Sequence, residues 1–263
     1  MTTLHAVTHG HASAALPVRD IGASDLKAAL RAGFDDFLAM PTHVVFISLI
    51  YPIIGIVLAA LTFDGNLIPL LFPLASGFAL VGPFAAVGLY ELSRRREAGL
   101  DTSWAYAFSG LRRRAVGSLV AVGGLLATIF ACWLVVAEGL YWALYDSYAP
   151  ATFLGFFHEV LTTQRGWALI LLGNLAGFAF SLITLAVSVV SVPLIVGRHV
   201  DALTALETSI AAFRQNPRTL LAWGFIVAGM LVLGSLPLFV GLAVVMPVLG
   251  HATWHLYGRI VAD

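Results

Sequence analysis

Two histidines near the end of the chain, His251 and His255, are the residues whose types and spacing most suggest chemistry. Side chains four residues apart share one face of a helix, and some zinc and haem sites take both ligands from one helix in this way. The segment 247–257 that carries them holds no carboxylate or cysteine to complete a ligand set. The pair therefore predicts a metal or haem site only weakly. We expect no bound metal or cofactor.

Four further polar residues are candidates for function. Glu91 is followed closely by Arg94 and Arg95, which predicts an ion pair at a membrane interface rather than a catalytic acid. Asn174 lies in the stretch 173–177, where glycines four residues apart let helices approach closely. An interhelical hydrogen bond is favoured there over a substrate contact.

Sequence signatures of enzymes are absent. The chain has no phosphate-binding loop, no Gly-x-Ser-x-Gly turn, and no set of serine, histidine and aspartate or of paired carboxylates in a plausible pocket. We therefore expect a protein that is not an enzyme.

The composition is that of a membrane protein. The chain has 263 residues, of which 60% are hydrophobic and 11% charged, and its mean hydropathy is +0.93. Soluble proteins average about 25% charged residues, so this chain has too few charged residues to cover the surface of a soluble fold. Lys and Arg together number 14, equal to Asp and Glu, which excludes the basic surface of a nucleic-acid-binding protein. A single cysteine excludes a disulfide framework.

Six apolar segments are long enough to cross a bilayer, which needs about 20 residues. The sequence 219–257 is too long for one span and is predicted to turn at Gly234–Pro237. The predicted spans cover 42–61, 67–90, 115–143, 167–196 and the two halves of 219–257. In this arrangement Trp254 and Tyr257 stand with the two histidines at the end of the sixth span, where aromatic anchors are common. Anchoring at the interface, or a hydrogen-bonded cluster in the core, is thereby favoured over metal binding.

The basic residues predict the orientation. With six spans, all of the Lys and Arg residues except Arg165 fall on the side that carries both termini. Positive residues concentrate on the cytoplasmic side, so we expect both termini in the cytoplasm of a bacterium and the spans in its inner membrane.

A threefold repeat is predicted within one membrane domain, 24–263. Asp25, Asp101 and Asp201 are each followed by alanine four residues later and by a small residue four residues after that. Each motif leads into a pair of spans. The fold expected is therefore all-α, with three helical hairpins in the same orientation, covering 24–99, 100–199 and 200–263.

Each unit is expected to begin with a cytoplasmic amphipathic helix. Ser24 and Asp201 are the predicted N-caps of the first and third, and Trp104 and Phe108 lie on the apolar side of the second. Such helices could bind anionic lipid or a partner, but packing beneath the bundle is the favoured interpretation. Residues 1–23 are predicted to be a mobile tail, and 145–166 to hold a short helix on the outer interface.

Two stretches carry a resemblance to a known family. Gly82–Gly99 (GPFAAVGLYELSRRREAG) and Pro247–Tyr257 (PVLGHATWHLY) resemble a bacterial family known as domain of unknown function 2189, and 25–36 resembles it too. The resemblance implies a six-span inner-membrane protein and no established activity, substrate or cofactor.

The function expected is that of an accessory or scaffold protein that binds lipids or other membrane proteins. One alternative is a facilitative carrier for a small uncharged or amphiphilic solute, with a polar cavity near Asn174, Ser181 and Ser188. The other is a metal or haem protein built on His251 and His255. The oligomeric state is not predicted.

Overall fold

The structure is a computed structural model that describes residues 15–40, 55, 72–74, 82–83, 86–108, 113–146, 153–237 and 240–262. These residues form α-helices and contain no β-strand beyond one isolated bridge. The helices in the described ranges are α1 (Ala23–Ala39), α2 (Val87–Glu97), α3 (Arg113–Tyr145), α4 (Phe153–Thr162), α5 (Gln164–Ser188), α6 (Ser191–Arg198), α7 (Ala202–Gln215), α8 (Pro217–Ser235) and α9 (Leu242–Ile260).

Three helical segments in the described part of the chain are long and apolar enough to cross a membrane. They are Ala115–Tyr145, Gln164–Arg198 and Pro217–Ser235, which match the third, fourth and fifth predicted spans. The predicted first span, apart from residue 55, and most of the second lie outside the described residues. The helix predicted as the sixth span exists as α9. The described residues are helical throughout their regular structure, so the all-helical class is confirmed. Six spans in three hairpins remain a prediction.

The long fourth segment bends where α5 gives way to α6. Pro193 has no N–H to donate to the carbonyl of Val189, and its ring crowds that carbonyl, so a regular helix cannot continue through this point. Ser209 of α7 binds the backbone at this break, because its Oγ accepts from the N–H of Val190 at 3.2 Å. The bend places α6 in the core, where 191–196 are all buried.

The turn predicted at Gly234–Pro237 is present. Helix α8 ends at Ser235 and α9 begins at Leu242. A Cβ at Gly241 would lie 2.7 Å from the carbonyl oxygen of Gly234, so the two helices approach too closely there for any larger residue.

The first and third amphipathic helices form as predicted, and one of their two predicted caps is correct. Asp201 caps α7 by accepting from the N–H of Thr204 at 3.0 Å. Ser24 does not cap α1, because the helix begins at Ala23 with Gly22 as its N-cap, two residues earlier than predicted. The Asp25 carboxylate, in the first turn of α1, accepts from the N–H of Gly22 at 2.9 Å. This N–H has no partner within the helix, so the side chain supplies one.

The second amphipathic helix is not an α-helix in the part described. Residues 104–106 form one turn of 3₁₀-helix. Gly99, with a φ of 65°, ends α2 in the left-handed conformation. The Asp101 side chain then accepts from the N–H of Ser103 at 2.8 Å, a local turn that competes with helix formation.

The predicted tail, residues 1–23, is only partly described, and the described part is anchored. The Arg19 N–H donates to the Ile260 carbonyl at 2.8 Å, and the Ala262 N–H to the Pro17 carbonyl at 3.1 Å. These residues are therefore packed on the end of α9, while the mobility expected of residues 1–23 stays a prediction. Backbone N–H and C=O groups that no helix pairs are thus bonded here between residues close to opposite ends of the sequence.

The helix predicted in the long loop 145–166 is α4, which presents Leu154 and Phe157 outward. Most of the core lies between α6, α7, α8 and α9. Its largest fully buried apolar side chains there are those of Leu194, Ile195, Leu220, Trp223, Leu256 and Ile260.

Candidate functional site

The polar and ionisable side chains most able to take part in chemistry lie where α1, α2 and α9 pack together. Small residues make this contact possible. A Cβ at Gly33 of α1 would lie 2.7 Å from the Cα of Ala252 in α9, and a Cβ at Gly250 would lie 3.2 Å from the Cβ of Leu89 in α2. The polar side chains between these helices are therefore held at short range by a close-packed backbone.

Asp36 is at the centre of this polar cluster. Its side chain is 2% exposed, although aspartate is rarely buried without partners. Ser93 donates its hydroxyl to Oδ2 at 2.6 Å, and His255 Nε2 lies 2.9 Å from the same oxygen. Arg96 forms an ion pair with the other oxygen. Three donors from two helices thus compensate the buried charge.

His251 joins the cluster through Ser93. Its Nδ1 lies 2.6 Å from the Ser93 Oγ. A hydroxyl has one proton, and because Ser93 gives that proton to Asp36, it must accept from the Nδ1–H of His251. The histidine ring is completely buried, and its Nε2 has no hydrogen-bond partner among the described residues.

His255 bridges two carboxylates. Besides Asp36, it meets Glu97, whose Oε1 lies 3.2 Å from Nδ1. Carboxylate oxygens accept but do not donate when ionised, so contact at both ring nitrogens favours the doubly protonated imidazolium. Trp254 donates its indole N–H to the same carboxylate, at 2.9 Å from Oε2. The ring is held between the N-terminal helix and α2.

The two carboxylates have lowered pKa values. Burial alone would raise the pKa of Asp36, but hydrogen bonds from His255, Ser93 and Arg96, with the positive charge of His255, outweigh it and lower the pKa. The hydrogen bond from His255 is the main cause that lowers the pKa of Glu97, aided by the one from Trp254 and opposed by burial. Both groups are therefore ionised at neutral pH.

Glu91 and Arg94 form the predicted ion pair. The guanidinium bonds both carboxylate oxygens, at 2.7 and 2.8 Å, and Glu91 is fully buried. Arg95 points elsewhere: its Nε donates to the Asp101 carbonyl at 2.6 Å, and its guanidinium lies over the Tyr106 ring, 4.4 Å from the centroid. The predicted interfacial pair therefore exists, but it is more deeply buried than an interfacial contact would be.

The other predicted residues divide between this cluster and α5. Tyr257 is buried one turn beyond the cluster, with its ring 5.3 Å from that of Trp254.

Asn174 stands apart and makes no bond to another helix in the described structure. Its amide donates at 2.7 Å to the Ile170 carbonyl of its own helix, so the predicted interhelical bond is not the one formed. Open space beside it allows this local bond to compete.

The described geometry gives no support to the metal or haem alternative. Among these residues no group of three or more His, Cys, Asp and Glu is arranged to hold a metal ion. The three ring nitrogens that have partners in the cluster face Ser93, Asp36 and Glu97. The predicted hydrogen-bonded core cluster is the arrangement present.

Four members of the cluster are not among the site residues predicted from sequence: Asp36, Ser93, Arg96 and Glu97. A signal for Asp36 was present, because it stands three residues after Gly33 and seven after Ala29, both in the apolar stripe of α1. A carboxylate at an apolar position indicates a buried partner. Nothing in the spacing showed that the partner lay more than two hundred residues away.

Comparisons with known proteins agree with the membrane assignment. No curated protein and no solved structure matches the chain. The predicted family is confirmed over part of the length, which includes the stretch Gly82–Gly99 but not the second stretch, Pro247–Tyr257. Over residues 71–197, the chain matches the family described as predicted integral membrane protein (DUF2189).

Proposed function

We propose that the chain is a non-enzymatic accessory protein of the membrane, which binds other membrane proteins or lipids through the outer faces of its spans. The observation that supports this is the exposure of α3 and α8. Little of either helix is buried, and large apolar side chains such as Val135 and Phe225 are exposed. Apolar faces of this extent require lipid or a partner.

The polar cluster supports the non-enzymatic part of this proposal. Its acidic groups Asp36 and Glu97 are each paired with Arg or His, as is Glu91 on the same helix as Glu97. A general acid or base must reach a substrate proton directly or through one water. Groups that compensate one another inside a helix junction serve to hold that junction.

Photo-crosslinking in native membranes tests the accessory role. A photoreactive phenylalanine replaces the exposed Val135 in one variant and Phe225 in another; the buried Val122 of α3 is the matched control. We expect both exposed positions to give a discrete adduct with the same membrane protein, and the control to give none. Adducts with lipid alone at both positions would refute binding to a protein partner.

The proposed topology has six spans with both termini in the cytoplasm of a bacterial inner membrane. Support comes from α9, which occupies the predicted sixth position, and from the distribution of basic residues. The test uses a chain in which Cys132, the single cysteine, is serine. A new cysteine at residue 3 or residue 262 should resist a membrane-impermeant reagent in intact cells, whereas one at residue 158 should react. Labelling of residue 262 alone would indicate an odd number of spans.

Two units of the proposed threefold repeat have equivalent buried positions, whereas Ala105 of the second unit is exposed. Ala29 and Ala205 are both completely buried. Four residues later, Gly33 packs against Ala252 and Ser209 accepts from Val190. The small residue of the motif thus lies at a contact with a preceding or terminal helix in both units, which explains why its size is limited.

A carrier is a second candidate because a cavity of about 220 Å³ lies beside Asn174 and Ser181 on α5. Trp133 and Phe178 also line it, but Ser188 is buried away from it. Light-scattering measurement of glycerol entry into proteoliposomes tests this function. A carrier should exceed empty liposomes, and Gly177→Leu, which fills the space beside Trp133, should abolish the difference. Gly229→Leu, in open space, is the control. Glycerol and urea entry equal to that of empty liposomes would refute a carrier of such solutes.

A further inference from the structure

Helix α1 has one face that does not pack against the core. Its inner face lies against α9 and buries Ala29 and Gly33. The outward side chains recur at intervals of four, three and four residues and so form one stripe along the helix: Lys27, Arg31, Phe34 and Leu38. We call these four residues the outer stripe of α1.

The outer stripe changes from basic to apolar along its length. Lys27 and Arg31 are exposed, and neither forms an ion pair within the part of the chain that the structure describes. Phe34 and Leu38 follow, with exposed fractions of 46% and 57%. Asp35 is the one acidic residue at an exposed position of α1, so the outward surface keeps an excess of positive charge.

The contacts of the inner face show how α1 is oriented along α9. Asp25, in the first turn of α1, pairs with Arg259 in the last turn of α9, at 3.0 Å. Phe37, in the last turn of α1, belongs to the same hydrophobic cluster as Val248, much earlier in α9. The two helices are therefore antiparallel, and each step toward the end of α1 is a step toward the start of α9.

The apolar end of the stripe is the end nearer to the bilayer. In the proposed topology α9 is the sixth span and ends on the cytoplasmic side, so the antiparallel α1 descends toward the bilayer from Lys27 to Leu38. The predicted first span begins at residue 42, which lies outside the described residues and two residues after Met40, the C-cap of α1. Two residues reach at most about 7 Å. The chain after α1 and the helix beside it thus both favour a position of Leu38 close to the bilayer.

The basic end of the stripe is then at the height of the headgroups. A helix rises about 10 Å between Arg31 and Leu38, and Lys27 is about 6 Å further on. Lysine and arginine place their charge in water while their aliphatic stems lie on apolar surface. Basic residues beside the cytoplasmic leaflet attract its anionic headgroups. The order of residues in the stripe therefore matches the order of acyl chains and headgroups in one leaflet.

We propose that the outer stripe of α1 binds the anionic phospholipids of the cytoplasmic leaflet, with Phe34 and Leu38 among the acyl chains and Arg31 and Lys27 at the headgroups. Packing beneath the bundle accounts for the inner face of the helix, and lipid binding accounts for the outer one. The proposal rests on the proposed topology, because it requires α9 in the bilayer. It requires no partner protein.

The depth of the stripe is tested with a fluorophore in nanodiscs of phosphatidylcholine and phosphatidylglycerol. The full chain, with Cys132→Ser, carries the fluorophore at Leu38→Cys, or at Ser24→Cys as the matched exposed position near the start of α1. We expect a spin label on the lipid acyl chain to quench position 38 at least twofold more strongly than position 24, and aqueous iodide to quench them in the reverse order. Equal quenching by iodide at both positions would place the apolar end of the stripe in water and overturn the proposal.

A third position separates this proposal from the topology on which it rests. Val244 of α9 is 45% exposed and lies deeper than α1 if α9 is a span. Quenching by the acyl-chain label at Val244→Cys but not at Leu38→Cys would refute the lipid site and leave the sixth span intact. Quenching at neither position would refute both. Protection of position 38 from iodide and from lipid alike would overturn the proposal by identifying a protein surface, such as a second copy of the chain, as the occupant.

The lipid preference is tested with the fluorophore at Phe34→Cys and a spin label on the headgroup of either lipid. We expect labelled phosphatidylglycerol to quench at least twofold more strongly than labelled phosphatidylcholine. Lys27→Gln with Arg31→Gln should abolish this preference, Lys27→Arg with Arg31→Lys should retain it, and Asp35→Asn should increase it. A stripe that only supports the fold would not respond in opposite directions to the loss of positive and of negative charge.

The fold is checked in each of these variants. Both basic positions are exposed and glutamine is a good helix former, so the thermal midpoint should change by less than about 2 °C. If the double glutamine variant unfolds, the preference is measured with both basic residues in place in 1 M NaCl, which should suppress it because exposed charges are screened. Equal quenching by the two lipids at low salt would overturn the proposal. A preference that survives the loss or the screening of both basic charges would overturn it as well.

Discussion

The Asp36 carboxylate lies 2.9 Å from Nε2 of His255, although the two residues are 219 positions apart in the chain. This contact joins the first described helix to the last. Because the imidazole also meets Glu97 of α2, one histidine connects three helices. Asp36 is almost entirely removed from water, whereas the Glu97 side chain is 52% exposed. The contact between Asp36 and His255 is therefore the one most sensitive to the loss of either partner.

Loss of the Asp36 side chain is expected to destabilise the protein strongly. Asp36→Ala leaves His255 and Arg96 without the buried carboxylate they contact, and removal of one partner of a buried ion pair costs about 3–5 kcal/mol. For a chain of this size we expect the thermal midpoint in detergent to fall by roughly 6–12 °C. Asp35→Ala, at the exposed neighbouring position, should change it by less than about 2 °C. Equal effects of the two variants would contradict the arrangement.

The contribution of this cluster should depend on pH in the acidic range. The pKa values of Asp36 and Glu97 are lowered in the folded state, so the unfolded chain binds their protons first as pH falls. Their stabilisation is complete above the ordinary carboxyl pKa of about 4 and is lost as pH falls through the lower folded values. The thermal midpoints of wild type and Asp36→Asn should therefore differ most at pH 6–7 and converge towards pH 3. A difference that stays constant over this range would exclude the ionised form of Asp36 as the cause.

Two glycines are expected to respond in opposite directions to the same substitution. Gly33→Ala places a methyl group against the Ala252 backbone, and overpacking of this kind costs about 1–3 kcal/mol. Gly229→Ala enters open space on α8 and should stabilise the helix by up to about 1 kcal/mol. Thermal unfolding of both variants checks this. A stabilising effect of Gly33→Ala would show that α1 and α9 are not in close contact.

Asn216 should control whether the segment before α1 stays attached. It is buried, its Oδ1 accepts from the Ile21 N–H at 2.9 Å, and its amide donates to the Arg19 carbonyl at 3.0 Å. Asn216→Ala should increase amide hydrogen exchange at residues 18–21 at least tenfold, while Arg214→Ala, at an exposed position of α7 two residues before Asn216, should not. Unchanged exchange in Asn216→Ala would show that the contacts to Ile260 and Ala262 suffice alone.

Much of the local structure follows from sequence because it depends on short-range chemistry. Asp201 caps α7 since its carboxylate needs only a backbone N–H three residues away. Pro193 interrupts a span, and Gly234 and Pro237 mark a turn, through effects confined to the neighbouring backbone. The apolar stripe of α1 likewise reports the burial of Ala29 and Phe37. Predictions failed where local signals compete, as at Ser24 against Gly22, and at Asp101, whose turn replaces a helix.

By itself, the sequence determined that the protein is helical, apolar enough to enter a membrane, and low in charge, because hydropathy and helix periodicity are properties of contiguous segments. Only the tertiary structure decided where the charges go. His251 and His255 share a helix face as their spacing predicts, but that spacing cannot show that they face Ser93, Asp36 and Glu97. Those partners come from α1 and α2, and long-range packing, made possible by Gly33 and Gly250, brings them within hydrogen-bonding distance. A pair that suggested a metal site in sequence is, in three dimensions, part of an internally compensated junction of three helices.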